Sequence, residues 1–209
     1  MKISALSKAS GVSLATIKFY LRENLLPPGR ALGARDAEYG DEHLERLDTI
    51  RGLRDVAGVP INRIRALMAA VDDPALPAFR LMGMAQAAVL PALADAAPDP
   101  APAAALYGEL GWEIPSASPV FSMTAGLLAL LDKERVGTDA ATLAPWIEAA
   151  RIAARADTTA LRPDASRAKL VRDVAVGTFL GNQLMLALRM AAQIDNVARK
   201  MAGASAEPA

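Results

Sequence analysis

Asn24 to Gly40 divides this 209-residue chain, because Pro27, Pro28, Gly29, Gly33 and Gly40 fall within those positions. No helix crosses a stretch with so many breakers, so it reads as a loop or a short β-ribbon. On both sides of it, apolar residues return at helical spacing and strand-like alternation is nearly absent. The expected fold is therefore mainly α. Before the ribbon, Ser4–Ala9 reads as a short helix stopped at Gly11. Ser13 follows as the N-cap of a second helix reaching about Glu23.

After the ribbon, Asp41 and Glu42 suit the positive end of a helix carrying Leu44, Leu47, Ile50 and Leu53, with Gly58 as its stop. Pro60 opens the next helix, with Ile61, Ile64, Leu67, Met68 and Val71 on its apolar side. Asp72-Asp73-Pro74 is punctuation. A helix is expected over Ala75–Ala96, bent near Pro77 and Pro91, and then a stiff boundary at Ala97–Ala103 with Pro98, Pro100 and Pro102. Further helices are expected at about Ala103–Leu110, Pro119–Lys133, Asp139–Ala156 and Asp164–Ala202. The last of these is expected to divide near Gly177 and Gly181, with Gly203–Ala209 frayed.

Composition removes whole classes of chemistry. With no cysteine, there is no disulfide framework, thiolate metal site or thiol nucleophile. His43 is the one histidine, which argues against a histidine-ligated metal centre and a Ser-His-Asp triad; it reads as a surface or phosphate-side residue. A 53% hydrophobic content suffices for a packed core. The longest apolar run, Met123–Leu131, is broken by Thr124 and closed by Asp132 and Lys133, short of the roughly 18 residues of a membrane span. No signal-peptide stretch follows Met1-Lys2-Ile3-Ser4, so a soluble cytoplasmic protein is expected.

The formal charge of zero is unevenly distributed. Residues 1–35 hold six basic side chains (Lys2, Lys8, Lys18, Arg22, Arg30 and Arg35) against Glu23 alone. Residues 73–209 hold 12 basic and 14 acidic groups. A basic head on a near-neutral body fits a local anionic partner, nucleic acid first, and equally fits a solvated charge cluster.

Ile3 to Glu23 has the spacing of a helix-turn-helix, with Gly11-Val12-Ser13 as the joint. At about 100° per residue, Leu14, Ile17 and Leu21 share one side of the second helix, which is expected to face the core. The opposite side carries Ala15, Thr16, Phe19 and Glu23, flanked by Lys18, Arg22 and Tyr20. A phenylalanine there is poor surface design unless something covers it. In a major groove, Phe19 and Thr16 would meet thymine methyls and Lys18 a guanine edge or a phosphate. The competing reading packs Phe19 and Tyr20 against the loop at residues 25–40.

The succession Ile3–Ser13, Thr16-Ile17-Lys18-Phe19-Tyr20 and Leu25-Leu26-Pro27-Pro28-Gly29-Arg30 resembles the MerR family of transcription regulators. Tyr39, Asp41–Leu47, Ile50–Arg54, Gly58-Val59-Pro60-Ile61 and Ile64 continue the likeness, which covers about the first 71 residues. The resemblance implies a winged helix-turn-helix that binds pseudo-palindromic promoter DNA as a homodimer, with Asn24–Gly40 as the wing. It also implies that Ala75–Ala96 pairs with its counterpart in an antiparallel coil, and that an inducer makes the dimer distort a promoter spacer, with RNA polymerase as a further partner. The DNA-facing set is then Ser13, Ala15, Thr16, Lys18, Phe19, Tyr20, Arg22, Arg30, Arg35 and Tyr39. Three positions depart from the family pattern. Lys18 stands for the usual Arg, Phe19 for Tyr, and Gly33-Ala34-Arg35 for Gly-Tyr-Arg.

The remainder carries no catalytic signature, and no enzyme activity or cofactor is expected. Glu109 and Glu113 lie at i,i+4 with no second component and read as a solvated face. Apolar bulk with methionine and small residues reads either as ordinary core or as the lining of an effector pocket. The pocket candidates are Tyr107, Trp112, Met123, Trp146, Phe179, Gln183 and Met185, for a hydrophobic small molecule. Val176–Gly181 with Leu184–Arg189 weakly resembles the ligand-binding helices of TetR-type regulators. The expected organisation is a DNA-binding domain at 1–72, a dimerisation helix and linker at 73–97, and an all-helical effector-binding bundle at 98–209. The alternative function is a ligand-sequestering resistance protein with secondary DNA binding.

Overall fold

The computed structural model describes residues 1–32, 36–90, 98–137, 139–159, 162 and 164–204. Among these, the chain is a succession of helices with one small ribbon, as the sequence pattern requires. Helices α1 (Ile3–Ser10) and α2 (Leu14–Arg22) precede strands β1 (Arg30–Ala31) and β2 (Ala37–Glu38). Helix α3 (Asp41–Arg51) runs on into a π-helical turn, Gly52–Val56, before α4 (Ile61–Asp72) and α5 (Ala78–Ala88). Then come α6 (Ala101–Leu110), α7 (Pro119–Lys133), α8 (Ala140–Thr159) and α9 (Arg167–Ala204).

Local signals place most of the ends. Gly11 closes α1 in the left-handed region at φ 69°, which costs a glycine little, and Asn24 stands there at φ 55° just beyond α2. Strands β1 and β2 pair antiparallel, Arg30 opposite Glu38 and Ala31 opposite Ala37. Gly29 has to be glycine for another reason: a Cβ there would lie 2.7 Å from the Glu38 carbonyl oxygen and 3.0 Å from the Tyr39 ring.

One core gathers Leu6, Ile17, Leu25, Leu26, Leu47, Ile50, Leu53, Ile64, Met68 and Leu81. Leu170, Val171, Val174 and Ala175 of α9 enter that same core, so it runs across the boundary expected near residue 98. The crossing is close. A Cβ on Gly52 would stand 3.2 Å from Val176 and 3.3 Å from Arg172, and the Thr49 hydroxyl donates to the Ala168 carbonyl at 3.1 Å. Arg167 fixes the start of α9 by donating to the carbonyls of Val71 (2.9 Å), Leu76 (2.9 Å), Ala70 (2.8 Å) and Asp73 (2.9 Å). Helices α6 and α7 form a satellite cluster of Ala103, Tyr107, Phe121 and Ala125.

Three expectations about helices change. Helix α9 is continuous through Gly177 and Gly181, since the helix carries two isolated glycines without breaking. Helix α5 is shorter than Ala75–Ala96: Pro77 is its N-cap and Val89 its C-cap, and Pro91 to Ala96 lie outside the described residues. Its Leu81, Ala85 and Ala88 are buried within the same chain. Finally, an 18-residue window in Arg167–Met201 reaches a mean hydropathy of 1.3, the length and apolarity of a membrane span. Reading unbroken runs overlooks it because Asn182, Gln183 and Arg189 interrupt the stretch.

Candidate nucleic-acid interface

The joint between α1 and α2 is built by short side chains. The Ser7 hydroxyl donates to the Val12 carbonyl at 2.7 Å, and the Val12 N–H donates to Ser10 Oγ at 3.2 Å. Ser13 caps α2, accepting from the Thr16 N–H at 3.1 Å while the two hydroxyls bond at 2.8 Å. That cap is the one read from the sequence.

Helix α2 then sorts its side chains. Ser13, Ala15, Lys18 and Arg22 are exposed, Thr16 is half-buried, and Phe19 is 37% exposed. No ion pair engages Lys18 or Arg22 among the described residues. Ile17 is fully buried, whereas Leu14, expected inside, is exposed. Tyr20 corrects the expected outward face: it is 3% exposed, and its phenolic oxygen accepts from Arg54 Nη1 at 3.2 Å. That hydrogen bond, with the charge of nearby Asp55, holds Arg54 above the ordinary arginine range. Glu23, placed on the outward face by the helical wheel, pairs with Arg65.

The wing adds a second charged surface. Arg30 is exposed but paired with Glu38 across the ribbon. The hydrogen bond from Arg30 and then its charge hold the Glu38 carboxyl below the usual range. Arg35 lies outside the described residues, with Gly33 and Ala34. Tyr39 is a second correction. Its ring is buried, edge-on to His43 with centroids 5.0 Å apart, and its N–H donates to the Met1 carbonyl at 2.8 Å. His43 is buried too, not at the surface, and its Nδ1 accepts from the Gly40 N–H at 3.1 Å. Sequence reasoning missed Arg51 and Arg54, exposed cations beside this unit. Arg51 Nη1 donates to the Ser10 carbonyl at the joint itself, at 3.4 Å.

The profile of the MerR HTH family of regulatory proteins matches residues 1–71. An HTH-type transcriptional regulator of Haemophilus influenzae, a ZntR homolog, is 35% identical over 68 residues. That match covers 32% of this chain and half the length of the curated relative. A solved chain assigned as the transcriptional regulator SCO5550 of Streptomyces coelicolor A3(2) is 36% identical. The alignment covers 95% of this chain and 97% of that one, with a TM-score of 0.69. The chain belongs to the MerR family. Within a MerR protein, α1 and α2 are the helix-turn-helix and β1–β2 the wing.

The effector candidates of this MerR chain do not converge. Tyr107 and Trp112 stack 6.1 Å apart at the α6–α7 cluster, where the Tyr107 hydroxyl bonds Thr124 at 2.6 Å. Met123 is half-buried on α7. Trp146 lies under Arg189 at 4.6 Å, on α8, and Phe179 packs against the main core. Gln183 and Met185 are exposed on α9. The stretch 176–189 likened to TetR-type ligand helices therefore encloses no cavity with these residues. Two concavities are lined by other residues, one of about 520 Å³ between α6, α7 and α8 and one of about 430 Å³ against α5, α8 and α9, which meets the stretch at Gly177 and Thr178.

Proposed function

We propose that this MerR protein is a one-component transcriptional regulator that binds promoter DNA as a homodimer and answers to a small apolar effector. The observation that carries the DNA-binding part is the outer side of α2. Lys18 and Arg22, without ion pairs among the described residues, flank Phe19, a large apolar side chain left 37% exposed. Cations of this kind take phosphates, and an apolar ring between them takes thymine methyls.

The dimer reading rests on α9 rather than α5. Leu180, Leu184, Ala187, Ala191, Ile194 and Ala198 recur at alternating spacings of four and three, the pattern of a helix–helix seam. Leu184 is 61% and Ile194 71% exposed, and the three alanines leave room for close approach of a second backbone. Arg189 and Trp146 of α8 lie on the opposite side of the helix, so α8 leaves the seam open.

Footprinting on DNA upstream of the protein's own gene, with the full chain, tests the proposal. Protection of a two-fold-related site between the promoter elements is the expected result. Salt-independent binding, or no protection at all, overturns it.

A further inference from the structure

We propose that the groove of about 430 Å³ walled by α5, α8 and α9 is the effector site, that it takes an aromatic ligand carrying an ammonium group, and that an ion-pair relay connects it to the helix-turn-helix joint. This rests on the regulator reading, gives its apolar effector a cationic group, and adds the place and the route.

The walls set the ligand. Phe79 is 67% exposed on one side, with Met82 beside it and buried Val174 at the floor. Gly83 and Gly177 widen the space, and a Cβ on either would meet nothing within 4 Å. A volume of this size suits a small organic molecule, and the apolar floor is rimmed by Gln86, Thr158 and Thr178 besides two aspartates, polar groups that orient a ligand with both an apolar body and a polar end. The charged groups on its wall are acidic. Asp157 has no partner among the described residues, and Asp173 is shared between Lys169 at 2.5 Å and Arg172 at 3.4 Å. A carboxylate beside an aromatic face is complementary to a protonated amine with an aromatic body.

Asp173 is also the first member of a continuous chain. Arg172 Nε stands 2.7 Å from Asp48 Oδ2, a charge contact in which the N–H is not aimed at the oxygen. Asp48 Oδ1 accepts from Arg51 Nη2 at 2.9 Å, and Arg51 Nη1 donates to the Ser10 carbonyl, next to the left-handed Gly11. An ammonium ion drawn to the acidic wall competes with Arg172 for Asp173. Arg172 then falls more fully to Asp48, and Arg51 is freed from Asp48. Arg51 is the member that touches the joint orienting α2, so ligand and DNA are coupled through a cation with two alternative partners.

The test uses the full chain and a matched pair of probes, dibenzylammonium and neutral dibenzyl ether, titrated calorimetrically. The cation is expected to bind about tenfold more tightly than the ether. Asp157→Asn is expected to remove that difference while leaving ether binding unchanged. Gly177→Leu, whose Cβ would meet nothing within 4 Å and whose side chain would occupy the groove, is expected to abolish binding of both at an unchanged or raised Tm. Equal affinity for the two probes, no binding of either, or retained binding in Gly177→Leu overturns the site. For the relay, dibenzylammonium is expected to change operator affinity about fivefold or more in the wild-type chain. Asp48→Asn is expected to bind the probe normally with no such change; a change that persists in that variant overturns the relay. Operator binding without any probe keeps the two proposals distinct. Its loss overturns the regulator reading, whereas its retention beside a failed probe titration overturns only the groove.

Discussion

Arg46 grips Asp72 through both terminal nitrogens, Nη1 to Oδ1 and Nη2 to Oδ2, each at 2.7 Å. The same guanidinium is buried and donates to the Leu25 carbonyl at 2.9 Å and the Met68 carbonyl at 3.2 Å. One side chain thus ties the end of the helix-turn-helix to α3 and α4. Arg46→Ala would leave two carbonyls and a carboxylate without their donor, at a cost of about 3 kcal/mol in urea unfolding. Asp72 is the more exposed partner, so Asp72→Asn should cost about 1 kcal/mol. Arg46→Lys should recover little, because an ammonium cannot reproduce the planar fork.

Arg167 plays the corresponding part for α9. Its guanidinium supplies donors to four carbonyls at and just after the end of α4, where helical carbonyls have no partner of their own. Arg167→Ala should therefore destabilise the chain by about 2 kcal/mol or more. Hydrogen exchange should show the loss first in residues 168–176 of α9, while α1 and α2 keep their protection. Uniform loss across all helices would show that Arg167 does not dock α9 in particular.

What the sequence disclosed follows from how local each cause is. Gly11, the Ser13 cap, the Pro60 start and the wing breakers Pro27, Pro28, Gly29 and Gly40 act within a few residues of themselves, and all stand where they were read. Tyr20 was misplaced because Ile17 has two flanks on the helical wheel, Leu14 on one and Tyr20 on the other. The choice between them is made by Arg54, 34 residues away. The entry of α9 into the first core was not legible either. Leu170, Val171 and Val174 look like any apolar helix face, and their register is set by contacts such as Thr49 to Ala168, 119 positions apart. The scattered aromatics of the second half failed as a pocket for a similar reason. Periodicity assigns a residue to a face but never says which faces meet.

The ribbon should respond to acid. Arg30 holds the Glu38 carboxyl below its ordinary range, so in the unfolded chain Glu38 takes up its proton at higher pH than in the folded one. The contribution of this pair is then fully present above the unfolded value and is lost as pH falls through the lowered, folded one. An NMR titration of the Glu38 side chain should show the depressed midpoint, and Arg30→Ala should return it toward that of a free glutamate. An unchanged midpoint in the variant would remove Arg30 as the cause.

Contacts that position and contacts that specify should separate in DNA binding. Arg22→Ala should weaken binding to matched and mismatched operators alike and reduce the salt slope by about one. Phe19→Ala, at a position 37% exposed beside buried Tyr20, should cost about 1 kcal/mol in stability and change the ranking of operators. Salt-titrated binding to both operators distinguishes the two classes; parallel losses for both variants would deny Phe19 a reading role.

The seam on α9 makes the strongest demand on the assembled protein. Leu184 stands in an apolar row whose Leu180, Leu184 and Ile194 are half or more exposed and outside the main core cluster, so replacing it should not disturb the core formed by Leu170, Val171 and Val174. Leu184→Glu would set a charge against its symmetry mate in a desolvated interface, which opposes association strongly. Sedimentation should then show a dimer for the wild-type chain and a monomer for the variant, with far-ultraviolet helicity nearly unchanged apart from the end of α9. Operator affinity should fall with it, because one head holds only half the phosphate contacts of two. A variant that remains dimeric would move the interface to another surface, and one that is monomeric yet binds the operator at full affinity would separate dimerisation from DNA recognition.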